Sequence, residues 1–425
     1  MARPKKNKDE IEVKSIEKTG NKDIGYEQFM KEVEKEVDSV YSVFDELKSD
    51  SKYIYPFNCS PLDVAFGGGI HSGRIYEFYG PPSQGKSTLT LEAEKAFCNY
   101  WKSLGEDKYA ILHIESESVF DKIRAKYIGL PIERVLISEA DTVEKGLITI
   151  EKCAEKAIQN NMKLFIDWDT LASIPTEAEM IKGTYGGGMA EKARVLRQAM
   201  RKLTSILAQG DISIIFVNQI YASFNQYNPE PISPGGDGIK FHASVRVFVK
   251  QLEDIKDIAA NGQEVITGIL TNCFFRKNKL AMPKQNVPIV INGERGFDSW
   301  KTLYRFLVTN KIVNVAGGWK NVIFKDQEFK FQNEEGLKEI IEMREPKLKE
   351  FLDYMVIKAY GARSPLMKVK LIENIWTYEE RELGGRITNL TSEEAELARL
   401  AWKKLQDEYD EEESNKAIDK QLGGE

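Results

Sequence analysis

Apolar and polar residues alternate along the middle of the chain in a way that predicts strands and helices following one another. Short apolar runs with the length and composition of strands lie at residues 74–80, 109–115, 163–169, 212–219, 244–252, 266–275 and 286–293. Between the first four runs, apolar residues recur three or four positions apart, most clearly around 143–159 and at 190–209. This alternation predicts an α/β fold, in which a mostly parallel sheet is flanked by helices.

Both ends of the chain differ from this pattern. Residues 26–47 place apolar side chains three or four apart, which predicts an amphipathic helix that packs either on the main domain or on a neighbouring subunit. Residues 407–413 include six acidic residues, as in a solvated tail. We therefore predict an N-terminal segment at 1–50, a core domain at 51–300, a small α+β domain at 301–400 and an acidic tail at 401–425.

Composition narrows the class of protein. Of the 425 residues, 42% are hydrophobic and 30% charged, and no apolar run approaches the length of a membrane-spanning helix, so no membrane partner is expected.

The cysteines stand singly, at Cys59, Cys98, Cys153 and Cys273, which argues for a reducing compartment. The three histidines, His71, His113 and His242, are too few and too dispersed to suggest a metal centre. The net charge of −6 does not indicate nucleic-acid binding, although a sum over the chain can hide a basic patch.

The first strand run leads into GPPSQGKST at residues 80–88, which fits the phosphate-loop pattern G-x-x-x-x-G-K-[ST]. The glycines of this pattern let backbone N–H groups turn towards an anion, and the following helix adds its positive N-terminal end. Lys86 is expected to reach the β- and γ-phosphates, and the Ser87 hydroxyl to ligate Mg²⁺. A Gly-Pro turn that merely joins a strand to a helix is the alternative. The predicted nucleotide-contacting residues are Gly80, Pro81, Pro82, Ser83, Gln84, Gly85, Lys86, Ser87 and Thr88.

Acidic and amide residues follow the next strands, at the edge where α/β sheets bind ligands. Glu117 comes just after the second strand and is placed to orient or deprotonate the water that attacks a γ-phosphate; a solvated surface glutamate is the alternative. The run LFIDWD supplies an aspartate for Mg²⁺, and Asp167 and Asp169 compete for that role, with Asp169 preferred because DTLASIP follows. Asn218 and Gln219 end the next strand and are candidate sensors of the γ-phosphate.

Eight stretches of this chain, in their order, resemble segments of the RecA family of homologous-recombination ATPases, over about residues 50–330. They are SPLDVAFGGGIHSGRIYEFYGPPSQGKSTLTLE, HIESESVFD, DTLASIP, RQAMRKL, FVNQI, PGGDGIKFHASVR, RKNKLAMP and AGGW. Their number and order carry the resemblance, and the divergence of the chain suggests a bacteriophage-type recombinase. The resemblance implies a RecA-like phosphate-loop ATPase core.

The resemblance also implies roles for single residues. Glu117 would be the catalytic glutamate, Lys86 would bind phosphates, and Gln219 would couple the nucleotide state to a DNA-binding loop. Lys277 and Lys279 would reach into the ATP site of a neighbouring subunit.

Two long segments rich in glycine and proline, 175–189 and 221–241, interrupt the strands and helices, and long loops in compact domains are usually functional. The resemblance implies that both bind DNA. The implied contacts are Met189 and Arg194 in the first loop and Gly235 and Gly236 in the second. Phe224 and Tyr227 of the second loop are further candidate contacts, suggested by the residues themselves. The second loop departs from the family because residues 221–239 contain no Lys or Arg. Its aromatic rings either stack on bases or are buried within the loop.

The function implied is that of a DNA-dependent ATPase, using ATP and Mg²⁺, that forms helical filaments on single-stranded DNA and pairs it with homologous duplex. A single-strand-binding protein and a loading mediator are further expected partners, in the bacterial cytosol or, for a phage protein, the host cytoplasm. Two other functions stay open. One is a hexameric replicative helicase, which usually carries an arginine finger in trans. The other is a recombination mediator that binds ATP and DNA without strand exchange.

Overall fold

The structure is a computed structural model that describes residues 51–116, 120–182, 189–220, 236–259, 262–325 and 327–360. The predicted N-terminal helix, the acidic tail, residues 183–188 of the first long loop and residues 221–235 of the second lie outside the described residues, as does Glu117. Phe224, Tyr227 and Gly235 belong to that part of the second loop. Part of the first loop, Glu177–Lys182, is a short helix and not the irregular segment that the sequence predicted.

Strands and helices within these ranges follow the predicted alternation. The strands are β1 (Ile54–Tyr55), β2 (Ile70–His71), β3 (Ile75–Gly80), β4 (Tyr109–Glu115), β5 (Val135–Glu139), β6 (Lys163–Asp169), β7 (Ser213–Gln219), β8 (Val245–Ile258), β9 (Glu264–Asn278), β10 (Asn286–Asn292), β11 (Gly296–Phe297), β12 (Asn314–Ala316), β13 (Trp319–Phe324) and β14 (Gln327–Phe331). The α-helices are α1 (Ser60–Phe66), α2 (Lys86–Ser103), α3 (Lys122–Ile128), α4 (Val143–Gln159), α5 (Glu177–Lys182), α6 (Met189–Gln209), α7 (Asp237–His242), α8 (Ser299–Thr309), α9 (Glu334–Met343) and α10 (Lys347–Tyr360). A short 3₁₀ helix spans Ile132–Arg134.

A nine-stranded sheet forms the centre of the core, in the order β11-β10-β9-β8-β3-β7-β6-β4-β5. The six strands from β8 to β5 are parallel, whereas β9, β10 and β11 add antiparallel pairs beyond β8. The prediction of an α/β fold with a mostly parallel sheet is confirmed. Because the parallel strands share one direction, β3, β4, β6 and β7 all end at the same edge.

The two faces of the sheet carry separate hydrophobic cores, since successive side chains of a strand point to opposite faces. On one face, Leu89 and Phe97 of α2 pack with Ile111 of β4 and Phe165 of β6. On the other face, α4 and α6 cover the sheet with buried residues Leu147, Ile150, Leu196, Met200 and Leu203. Burial of each such side chain contributes about 1.5–3 kcal/mol. As a result, α2 is firmly held over the strands whose ends form the candidate site.

Residues 299–360 form a small antiparallel sheet, β12-β13-β14, packed with α8, α9 and α10 around a third hydrophobic core. Val64 of α1 belongs to this core, and Ser60 of α1 donates a hydrogen bond to Asp353 of α10. The first helix of the core domain is thus part of the packing of the C-terminal elements. None of the helices in the described ranges combines the length and hydropathy that a bilayer-spanning segment needs.

Candidate functional site

The phosphate-loop sequence forms a turn between the end of β3 at Gly80 and the start of α2 at Lys86. Ser83 and Gly85 have positive φ angles, 58° and 94°, which reverse the chain so that it enters the helix directly. No side chain caps the N terminus of α2, a fully described helix, and no acidic residue lies in its first turn. This helix end therefore offers unneutralised N–H groups and a positive dipole, which are the features that bind a phosphate.

The loop is held in place by the neighbouring strands β8 and β9. The side-chain oxygen of Gln84 accepts a hydrogen bond from the Gln251 N–H at 2.6 Å, and the Thr271 hydroxyl donates to the Gln84 carbonyl at 3.0 Å. A Cβ atom added to Gly80 would lie 2.1 Å from the Val249 carbonyl oxygen, so only glycine fits there. The antiparallel strands thus fix the loop before any ligand arrives.

Lys86 is buried and lies across the mouth of the loop, where its ammonium group donates a hydrogen bond to the Pro81 carbonyl at 2.6 Å. The bond closes the loop over the lysine. A cation in this position can move from a carbonyl oxygen to a phosphate oxygen over a short distance, because Lys side chains carry three rotatable donors.

Ser87 and Asp169 meet at the edge of the sheet. Ser87 is in the first turn of α2, and its hydroxyl hydrogen-bonds to the carboxylate of Asp169, the last residue of β6. Burial raises the pKa of Asp169, while the Ser87 hydrogen bond and the positive charges of His113 and Lys86 oppose the rise. A hydroxyl and a carboxylate beside a lysine are oxygen ligands of the kind that Mg²⁺ prefers next to phosphates.

Asp167, the other candidate for the Mg²⁺ ligand, has different surroundings. It is fully buried beneath the sheet edge, and its carboxylate lies 2.8 Å from Nδ1 of His113 and close to Glu94 of α2. Burial and the negative charge of Glu94 raise the pKa of Asp167, and His113 lowers it. Of the two aspartates that the sequence left open, the geometry therefore favours Asp169 as the nucleotide-side ligand.

The two amide residues at the end of β7 have different surroundings. Gln219 pairs in register with Gly80, the first residue of the loop, and is partly exposed. Asn218 is fully buried and donates a hydrogen bond at 2.8 Å to Glu77 of β3, which also forms an ion pair with Arg246 of β8. Asn218 is therefore a structural residue inside the sheet, and Gln219 is the amide at the candidate site.

Lys277 and Lys279 lie at the end of β9, near α7. The ammonium group of Lys277 donates hydrogen bonds to the carbonyls of Lys240 and Phe241, at 2.6 and 2.9 Å, at the C-terminal end of α7. Partial burial, followed by the nearby positive charges of Lys279 and Arg246, lowers the pKa of Lys277 to about 8. Lys279 is exposed.

Ends of the two long loops meet where α6 packs on α7. Met189 is the first residue of α6, and a Cβ atom added to Gly236, just before α7, would lie 2.7 Å from Cβ of Ala193. Arg194 is exposed and forms an ion pair with Glu191 at 2.6 Å.

Arg194 belongs to a larger basic surface that the sequence reasoning missed. Three exposed arginines on one face of α6 form what we call the arginine stripe: Arg194, Arg197 and Arg201. They line a cleft of about 330 Å³. Their spacing of three and four residues in a predicted helix was the available signal.

Comparison with known proteins agrees with this geometry. A family model for the RecA N-terminal domain matches residues 25–298, which is more than half of the chain. The chain belongs to the RecA family. Two similar relatives, each named Protein RecA, come from Acholeplasma laidlawii, one of them from strain PG-8A; both are 33% identical to this chain over 270 residues, covering 63% of it and 76% of the relative. The RecA-family match ends just before α8, so it spans the nine-stranded sheet and the candidate site.

Proposed function

We propose that this RecA-family protein is a DNA-dependent ATPase that forms filaments on single-stranded DNA and promotes homologous pairing and strand exchange. The observation that carries the proposal is the meeting of Ser87, Asp169 and Lys86 at the uncapped N terminus of α2. This arrangement suits the triphosphate of ATP and its Mg²⁺ better than it suits a neutral ligand.

Each residue of the site then has a defined task. The N–H groups of residues 83–87 hold the phosphates, and Lys86 moves from the Pro81 carbonyl to the β- and γ-phosphates. Ser87 and Asp169 hold Mg²⁺, which when bound neutralises charge that develops on the phosphates. Glu117, two residues past the end of β4, orients or deprotonates the attacking water.

Coupling between nucleotide and DNA follows from the position of Gln219. Its strand neighbour Gly80 opens the phosphate loop, and the second long loop starts at residue 221. A shift of Gln219 towards the γ-phosphate therefore moves the start of that loop. Lys277 and Lys279 complete the site of the neighbouring subunit, so that hydrolysis depends on assembly.

DNA binding by an acidic chain is explained by the arginine stripe. Arg194, Arg197 and Arg201 lie next to the point where the two loops begin and end, and they supply local positive charge despite the net charge of −6. Met189 and Gly236 at the bases of the loops, and Gly235, Phe224 and Tyr227 in the second loop, provide the remaining contacts. Backbone amides at glycines approach phosphates, and the aromatic rings stack on bases.

Further parts of the proposal concern partners and origin. The chain assembles with copies of itself, binds single-stranded and duplex DNA, and acts with a single-strand-binding protein and a loading mediator. It works in the cytoplasm and is of bacteriophage type.

Electron microscopy of the full chain with single-stranded DNA and a non-hydrolysable ATP analogue tests the proposal. Continuous helical filaments are expected, and Lys86→Ala protein is expected to give none. Closed rings would instead support a hexameric helicase. DNA-bound particles without filaments or rings would support a mediator.

A further inference from the structure

A second polar layer lies beneath the candidate nucleotide site. Residues two apart in a strand face the same side of a sheet, and Glu115 and Asp169 are paired in register at the ends of β4 and β6. One step further into the sheet, His113 and Asp167 are paired in the same way and face α2. Glu94, which follows Ser87 by two turns of α2, lies next to this second pair.

The cluster of Glu94, His113 and Asp167 is closed off from solvent, with exposed fractions of 0%, 4% and 0%. Nδ1 of His113 lies 2.8 Å from the Asp167 carboxylate and 3.5 Å from the Glu94 carboxylate. Each residue offers one ligand atom, and these atoms lie within 4.8 Å of one another. In tetrahedral coordination at about 2.1 Å, ligand atoms are about 3.4 Å apart, so modest adjustment brings all three around one ion.

The carboxylates of this cluster lack the partners that buried charges need. Apart from the contact with His113, neither oxygen of Glu94 and neither oxygen of Asp167 has a hydrogen-bond partner among the described residues. Two buried carboxylates and one protonated imidazole leave a net negative charge, which is costly away from water. A divalent cation with a neutral imidazole makes the three-residue cluster electrically neutral.

Glu115 supplies an independent indication, because it orients the imidazole. Its carboxylate lies 3.4 Å from Nε2 of His113, on the opposite side of the ring from Asp167 and Glu94. If Nε2–H donates to Glu115, Nδ1 of the neutral ring carries the lone pair, and Nδ1 has no hydrogen-bond partner among the described residues. A carboxylate behind a histidine is the usual second layer of a metal site.

We propose that Glu94, His113 and Asp167 bind a divalent first-row transition-metal ion, such as Zn²⁺ or Mn²⁺, that ties α2 to β4 and β6 beneath the nucleotide site. One imidazole nitrogen with two carboxylate oxygens suits these ions, whereas Mg²⁺ prefers an all-oxygen set. The site is distinct from the Mg²⁺ position at Ser87 and Asp169 and does not depend on the function proposed above.

The test uses full-length protein, freed of metal by chelator and then dialysed separately against Zn²⁺, Mn²⁺, Co²⁺ or Mg²⁺ without nucleotide. Elemental analysis after gel filtration should find about one Zn²⁺, Mn²⁺ or Co²⁺ per chain, and no retained Mg²⁺. X-ray absorption of the Zn²⁺ form should show one imidazole nitrogen among oxygen ligands, and the Co²⁺ form should have visible d–d bands.

Matched variants separate this site from the nucleotide site. Glu94→Gln and Asp167→Asn keep the side-chain shape and should each lower the bound metal at least tenfold, whereas Ser87→Ala should retain one equivalent. The proposal is overturned if wild-type protein retains no more of any ion than Glu94→Gln, or if both cluster variants bind as much as wild type. Should the cluster variants fail to fold, the absorption spectrum of wild type decides, because an imidazole ligand supports the site and its absence rejects it.

Discussion

Asp169→Asn and Asp167→Asn form a matched pair of substitutions that separates nucleotide chemistry from the packing beneath it. Both replace a carboxylate on the same face of β6 with an amide of equal size. Asp169 touches Ser87 at the open edge, whereas Asp167 is enclosed with His113 and Glu94. The two variants should therefore differ in turnover.

For Asp169→Asn we expect a large loss of turnover and little loss of stability. A metal ion contributes several kcal/mol of charge stabilisation, and a loss of about 3 kcal/mol lowers kcat about 150-fold. Burial raises the pKa of Asp169, so the ionised carboxylate above its unfolded pKa weakens the folded state. The neutral amide removes that cost, and the free energy of unfolding should change by less than about 1 kcal/mol.

For Asp167→Asn we expect turnover to be retained. The pKa of Asp167 is raised like that of Asp169, and Glu94 still faces His113 after the substitution, so the free energy of unfolding of metal-free protein should not fall by more than about 1 kcal/mol. Turnover of the folded fraction at 25 °C should fall less than about tenfold. Steady-state DNA-dependent ATPase and thermal unfolding are measured on both variants. A large loss of turnover in Asp167→Asn with near wild-type turnover in Asp169→Asn would refute the assignment.

Three other expectations concern the loop, the lysine and the arginine stripe. Gly80→Ala should lower the free energy of unfolding by about 1–3 kcal/mol in denaturant titration, because the new Cβ lies 2.1 Å from the Val249 carbonyl oxygen; unchanged stability would mean that the strands do not hold the loop. Because the pKa of Lys277 is lowered to about 8, DNA-dependent ATPase activity should fall as the pH rises above that value. Lys277→Arg, which keeps its charge, should remove this fall. Identical pH profiles for the two proteins would exclude the charge of Lys277 as the cause. Arg201→Ala should weaken binding to single-stranded DNA and reduce the slope of log K against log salt by about 0.7, and an unchanged slope would place Arg201 away from DNA phosphates.

Local patterns in the sequence were sufficient to predict five of the six parallel strands and the phosphate loop, whereas the edge strand β5 (Val135–Glu139) was not predicted. The strand before Gly80, the helix starting at Lys86 and the strands ending at Glu115, Asp169 and Gln219 all occur where predicted. These elements depend on the periodicity of apolar residues and on turn-forming residues, and both can be read from residues that are close together in the sequence.

Strand direction beyond β8 could not be predicted in the same way. The runs at 244–252 and 266–275 were expected as strands, but the structure extends them to Val245–Ile258 and Glu264–Asn278 as an antiparallel pair. Polar side chains in their outer halves hide the strand pattern, because these positions are not covered by a second layer. Pairing there is decided by contact between strands, not by the periodicity of either one.

The polar cluster beneath the site was missed for a related reason. The three histidines are too few and too dispersed in the sequence to suggest a metal centre, yet the fold brings His113 together with Glu94 and Asp167 from two other elements. The available signal was an ionisable residue inside each of two apolar strands, YAILHIE and LFIDWD. Only the register of β4 against β6 places those residues side by side.

Strand exchange by the purified full chain tests the central claim most directly. A fluorescently labelled duplex is mixed with homologous single-stranded DNA, protein, ATP and Mg²⁺, and release of the labelled strand is followed over time. The account predicts release that requires ATP and homology and that Lys86→Ala protein does not support. Release of the strand from heterologous duplex at the same rate would indicate a helicase, and ATP hydrolysis and DNA binding without any release would contradict the proposed recombinase.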